Sequence, residues 1–146
     1  MEKLNFLISI NAPKEKIWKV LWNDASYREW TSVFFQGSYA KTDNWKEGTE
    51  VKFIDSNGNG MVSKVLANKP NEYMSFQHLR ELKDGVEDRT SDKVNEWTGA
   101  MENYTLKETD SVTELAVDMA VTKEHKDMFT EMWPKALEKI KTLSEQ

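Results

Sequence analysis

The sequence of 146 residues contains no cysteine. Disulfides, thiolate nucleophiles and cysteine-ligated zinc are therefore excluded, and a reducing compartment fits. Three Pro and six Gly are too few for a linker-like or collagen-like chain. No apolar run approaches the roughly 20 residues of a membrane helix, so membrane insertion is not expected. Met1-Glu2-Lys3-Leu4 leads straight into an alternating segment without the apolar stretch of a secretion signal, and the expected location is cytoplasmic. Positive charge is also in deficit. Twenty basic against 25 acidic residues give −5, the wrong sign for a general nucleic-acid binder. What the chain does have is aromatic surface: six Trp, six Phe and four Tyr, ample for a real core. At roughly 150 residues per domain, residues 1–146 read as one domain.

Leu4, Phe6, Ile8 and Ile10 alternate with polar positions, the mark of a half-buried strand. Pro13 then sits at a helix start, with Asn11 or Ala12 as the cap and Glu15 near the positive end of the dipole. Ile17, Trp18, Val20, Leu21 and Trp22 recur at helical spacing, and Asp24 can cap a second, shorter helix carrying Tyr27 and Trp30.

The middle of the chain changes period. Residues 48–54, 61–67, 72–79, 97–107 and 112–121 read as strands joined by short turns, which makes an antiparallel meander. Asn57-Gly58 predicts a type I′ hairpin, because both of its positions tolerate positive φ. Residues 81–96 form a long, mostly acidic connection, read as a solvated hairpin extension. From Thr122, a plausible cap, the period becomes 3.6, with Phe129, Trp133, Leu137, Ile140 and Leu143 in one apolar stripe. Pro134 lies inside that stripe and predicts a kink.

Most chemical motifs are missing or incomplete. Asp55 to Gly60 copies the first half of an EF-hand loop, but the twelfth position is Leu66, so a hairpin explains it better. Asn103-Tyr104-Thr105 is a glycosylation acceptor only in form. Neither histidine has zinc-type spacing, and no P-loop, Rossmann glycine pattern or serine elbow occurs. No metal, cofactor or catalytic residue is assigned.

The succession Ile8-Ser9-Ile10-Asn11-Ala12-Pro13, Ile17-Trp18, Leu21 and Trp30 resembles the opening of START-like (SRPBCC) domains. Gly48 after Trp45-Lys46-Glu47, Met74-Ser75-Phe76, Tyr104-Thr105-Leu106 and the final Trp133, Ala136-Leu137, Ile140, Leu143 extend the likeness. Among these domains it is most similar to the branch of the activator of heat-shock protein 90 ATPase. The resemblance implies an α+β helix-grip fold. About seven mostly antiparallel strands would wrap around the long C-terminal helix, with two short helices after the first strand and an apolar cavity between layers.

The same resemblance puts Met74 and Phe76 inward. Period two then carries His78 and Arg80 to that face, together with Glu102 and Tyr104 of the neighbouring strand. His78 and Glu102 are expected to meet across the ladder, as a ligand-binding pair or as a structural pair at the wet rim. Phe53, Met61, Trp97, Met119, Phe129 and Trp133 complete the candidate lining, although core packing also explains them; Phe34 is a further apolar candidate. Three functions compete. The leading one is a non-catalytic module binding a small apolar or amphipathic ligand. The others are a co-chaperone of a heat-shock protein 90 type ATPase and a cyclase or hydrolase using His78 and Glu102. A monomer or weak homodimer is expected.

Overall fold

The computed structural model describes residues 1–88 and 98–146. Strand β1 (Glu2–Ile10) is followed by helices α1 (Lys14–Trp22) and α2 (Asp24–Thr31). Strands β2 (Tyr39–Lys41), β3 (Glu50–Ile54), β4 (Gly60–Lys69) and β5 (Tyr73–Lys83) come next. Strands β6 (Val86–Asp88), β7 (Met101–Thr109) and β8 (Val112–Val121) precede the long helix α3 (Lys126–Ser144). The sheet order is β1-β8-β7-β5-β4-β3-β2, with β6 beside β5 and every pairing antiparallel. This is the expected α+β helix-grip plan. Among the described residues it has eight strands rather than about seven, because β2 and β6 carry no alternating pattern of their own.

The inward faces of the strands carry the core. Leu4 and Ile10 of β1, Leu115, Val117 and Met119 of β8, and Tyr104 and Leu106 of β7 are all buried. Trp133, Ala136, Leu137 and Ile140 of α3 close over them, and α1 packs against α3 through its own buried Ile17 and Leu21. The outer face is polar by comparison. There Asn103 accepts hydrogen bonds from Ser75 (2.5 Å) and Tyr73 (3.2 Å) and donates to Asp118 (2.9 Å), so the sequon at 103 belongs to a strand network.

Several local expectations need correction. The cap of α1 is Pro13 itself, with no side-chain cap; the exposed Lys14 N–H instead donates to the Glu108 carboxylate at 2.8 Å. Asn23, not Asp24, precedes α2, and Asp24 pairs with Arg28 one turn on. Thr122 is not the cap of α3, a position His125 holds, although its hydroxyl meets His125 Nδ1 at 2.7 Å. Pro134, where the kink is expected, lies inside helix α3 as the sequence pattern has it, and is exposed.

The turns differ most. At 55–59 only Gly58 has positive φ, and the Asp55 carboxylate accepts from the Asn57 and Asn59 N–H groups at 2.8 and 3.0 Å. This is an Asx-braced five-residue loop, not the two-residue type I′ turn expected. Paired positive φ occurs instead at Asp110-Ser111, between β7 and β8, and at Asp84-Gly85. The latter closes β5 onto β6, so the first part of the acidic connection is a regular hairpin and β5 reaches Lys83 rather than Leu79. The rest of the connection and Trp97 lie outside the described residues, and residues 98–100 are turn and irregular backbone, so the strand expected over 97–107 starts at Met101. The two hairpin tips touch, since the Gly85 N–H donates to the Gly58 carbonyl at 2.9 Å.

A β-carbon at Gly58 would lie 2.9 Å from the Gly85 nitrogen, on backbone already held at φ +81°. Gly58→Ala is therefore expected to lower unfolding stability by about 1–3 kcal/mol in urea titration. A change within experimental error would show that the tips are not in contact.

Candidate functional site

The helices do not fill the concave face of the sheet completely. Between α2, the start of α3 and strands β3 to β8 lies a half-open cavity of about 450 Å³. Its wall is built by two kinds of repetition. Tyr27, Trp30, Thr31 and Phe34 fall at i, i+3, i+4 and i+7 along and just beyond α2, so one helical stripe faces inward. Phe53, Met61 and Glu81 stand opposite one another on three adjacent strands, as do Glu102 and Met119 on two others. Phe129 and Trp133, one turn apart on α3, cover the opening, with Phe34 packed between them at ring distances of 6.1 and 5.0 Å.

Of the expected lining residues, Phe53, Met61, His78, Glu102, Tyr104, Met119, Phe129 and Trp133 border this space. Met74 and Phe76 do not: both are fully buried in the layer behind it. Phe76 sits edge-on to Trp22, Phe53 and Tyr104, and this aromatic layer takes up its surface. Trp97 lies outside the described residues. Arg80 is also absent from the cavity. Val62 pairs with Arg80 but Ser63 with His78, which leaves Leu79 as a bulge and reverses the alternation beyond it. Arg80 therefore points to the other face, bonded to Glu87 at 2.6 Å and Glu50 at 2.9 Å, and Glu81 takes the cavity side.

A chain of polar groups crosses the inner wall. Ser63 Oγ lies 2.6 Å from His78 Nδ1, His78 Nε2 lies 3.5 Å from Glu102 Oε1, and Tyr104 donates its hydroxyl to Glu102 Oε2 at 2.6 Å. Glu102 faces Phe76 across the ladder, so it reaches His78 on the diagonal. Burial, the Glu102 charge and the hydrogen bond to it push the Tyr104 phenol well above its usual range; burial and the same charge do so at Tyr27. Both phenols keep their protons and remain hydrogen-bond donors.

The chain superficially resembles a hydrolase triad, but the order is reversed. In that machinery the serine meets Nε2 and the carboxylate orients Nδ1, whereas here Ser63 is on Nδ1 and Glu102 on Nε2. Ser63 is moreover fully buried and does not border the cavity, so no ligand carbonyl reaches its oxygen. Ser63 is a positioning group for the imidazole. His125, exposed at the mouth, lies beside Phe129. Among the described residues, no three histidine, aspartate or glutamate side chains converge on a point where a metal could sit, and no helix is long and apolar enough to cross a membrane.

Phe34, named as a candidate, borders the cavity, whereas sequence reasoning missed Tyr27, Trp30 and Thr31 of the α2 stripe and three carboxylates of the rim, Asp55, Glu81 and Glu124. The stripe was detectable from its spacing. The carboxylates were not, because a bulge and two loop conformations place them.

A sheet gripping a C-terminal helix, with a half-open apolar cavity between them, defines a domain of the START-like class. Within that class the chain belongs to the Activator of Hsp90 ATPase homolog 1-like protein family, whose model matches residues 11–145. Solved structures share the fold at low identity. Protein MLL2253 from Mesorhizobium loti superposes with a TM-score of 0.75 at 18% identity, over 97% of this chain and 96% of that one. The Aha1 dimer from Colwellia psychrerythraea gives 0.72 at 21% identity, over 99% and 97%. DynU16, described as a putative protein in the dynemicin biosynthetic locus, gives 0.68 at 12% identity, with 97% of this chain matching 46% of that one. No curated protein matches the sequence significantly.

Two measurements test the polar chain. A double-mutant cycle of His78→Ala and Glu102→Gln should show a coupling of at least about 0.5 kcal/mol, and strict additivity would mean that the two do not interact. In alkaline titration followed by tyrosinate absorbance, Tyr27 and Tyr104 should ionise well above the usual phenol range near 10. Their folded pKa values are raised, so their contribution to stability is complete below the unfolded value near 10 and is lost as pH rises toward the folded ones. Ionisation of Tyr27 and Tyr104 within the usual phenol range would contradict the burial of these two phenols.

Proposed function

We propose that the protein binds a small apolar or amphipathic molecule in this cavity, without assigned catalysis. The observation that carries this reading is the cavity's combination of features. A space of about 450 Å³ falls in the range of small-molecule sites, is walled by aromatic rings, and has a few convergent polar groups at one place. Apolar burial would supply affinity, and Glu102, Tyr104, Tyr27 and His78 would fix orientation. The three cavity methionines, Met61, Met119 and Met128, suit a pocket that adapts to its occupant. A monomer or weak homodimer in the cytoplasm is the setting we infer. Ligand binding uses a single subunit's cavity, and the chain has no cysteine to constrain its compartment.

A second reading is supported by family membership and by the likeness to the Aha1 dimer: association with a heat-shock protein 90 type ATPase through the outer surface. One purification separates the two. Native mass spectrometry of freshly isolated protein should reveal a small-molecule adduct, and Met61→Trp, which fills the cavity from β4, should reduce its occupancy at least about tenfold in a folded protein. An adduct retained by folded Met61→Trp would remove this cavity as the site. Protein recovered without any adduct, but with a chaperone ATPase bound, would favour the second reading.

A further inference from the structure

We propose that the cavity selects a cationic head group: its ligand is an amphiphile carrying a protonated or quaternary amine, seated beside Glu102 and the surrounding ring faces. This rests on the ligand-binding reading and narrows it to a chemical class.

The cavity's formal charge has one sign. Among the described residues Asp55, Glu81, Glu102 and Glu124 border it, and no Lys or Arg does. The nearby cation Arg28 stacks on the Tyr39 ring at 4.9 Å and is bonded to Asp24 at 3.0 Å, so its charge is already matched. The other titratable groups facing the space are His78, His125 and the tyrosines.

Glu102 stands on the inner wall, beside Tyr104 and His78. Its side chain keeps only a fifth of its surface open, and its partners are the Tyr104 hydroxyl and the more distant His78 ring. A carboxylate amid aromatic rings is costly without a counter-charge or full hydration. An ammonium group in the adjoining space supplies that charge.

An independent observation points to the same place. Tyr27 is more than nine-tenths buried and borders the cavity, yet its hydroxyl makes no hydrogen bond among the described residues. Tyr27 and Glu102 both border this one cavity, so the phenol and the carboxylate adjoin one space. A protonated amine would donate to both oxygens. A quaternary amine would use the rings that line the cavity, Tyr27, Phe34 and Phe53 among them. Aromatic faces with a carboxylate form the environment in which cation–π attraction is strongest, because the cation is desolvated there.

The test uses three probes with one naphthyl body and a trimethylammonium, hydroxyl or carboxylate head, titrated at fixed ionic strength. Binding is read by calorimetry and by the fluorescence of Trp22, Trp30 and Trp133, which border the cavity. The ammonium probe should bind about tenfold more tightly than the hydroxyl probe, and the carboxylate probe most weakly. Glu102→Gln should abolish most of the ammonium preference. Glu81→Gln, at the rim, should reduce it by a smaller factor and serves if Glu102→Gln fails to fold. Equal or tighter binding of the hydroxyl or carboxylate probe would overturn the charge preference while leaving the cavity a ligand site. Absence of binding by all three would overturn the ligand-binding reading and this inference with it.

Discussion

The insertion of Trp22 between helix and sheet is the contact on which the rest of the molecule depends. This last residue of α1 lies edge-on to Phe76 and Tyr104 at 5.5 and 4.9 Å and tilted against Trp45 at 4.9 Å. One indole thereby ties α1, the 44–48 loop, β5 and β7 together. The arrangement has visible costs. The Trp22 indole N–H is buried without a partner, which typically costs about 1–3 kcal/mol. Asn44 and Trp45 hold consecutive positive φ values, uncommon for residues with side chains. The Trp45 ring offsets part of this by donating its N–H to the Trp22 carbonyl at 2.9 Å, and Asn68 donates to the Trp45 carbonyl. Aromatic burial on this scale outweighs such local penalties.

The same packing explains why a cavity exists at all. Flat, rigid rings that meet edge to face, as Phe76 does with Phe53 and Tyr104, do not deform to fill the volume beside them. Behind the wall, Met74 and Phe76 are sealed in. In front of it, Phe53, Met61 and Met119 face open space. Side chains two positions apart on one strand, Phe76 and His78, thus have different neighbours: the first is enclosed by rings, the second joins the polar chain.

That division marks the limit of what the sequence could show. Period two placed Met74, Phe76 and His78 on one face correctly, and the helical stripe of α3 identified Trp133, Leu137 and Ile140 as inward. The fold class was therefore legible from spacing and from the order of motifs. Alternation says which face a side chain takes, but not how deep the neighbouring layer is, so Phe76 was grouped with true cavity residues. Nor does it foresee a register shift. The bulge at Leu79 depends on the pairing with β4, and it alone exchanges Arg80 for Glu81 on the inner face. The Asn57-Gly58 pair was misread because the Asp55 carboxylate, two residues earlier, competes for the turn's N–H groups. The pair that does form the tight hairpin, Asp84-Gly85, was hidden by the acidic residues around it.

The bulge also has a consequence for the electrostatics of the site. Had strict alternation continued, Arg80 would stand on the inner face, two positions beyond His78. The shift turns it to the opposite face, where Glu50 and Glu87 raise its pKa further by direct hydrogen bonds. What remains inside is a carboxylate held by one phenol and one imidazole, with Glu81 added in place of the cation. An inner wall of this kind is poor at self-neutralisation, and in low-dielectric surroundings an unmatched charge is worth more than on the surface. The single extra residue at 79 thus adds to the negative charge of the cavity, which no property of net charge or composition could have fixed.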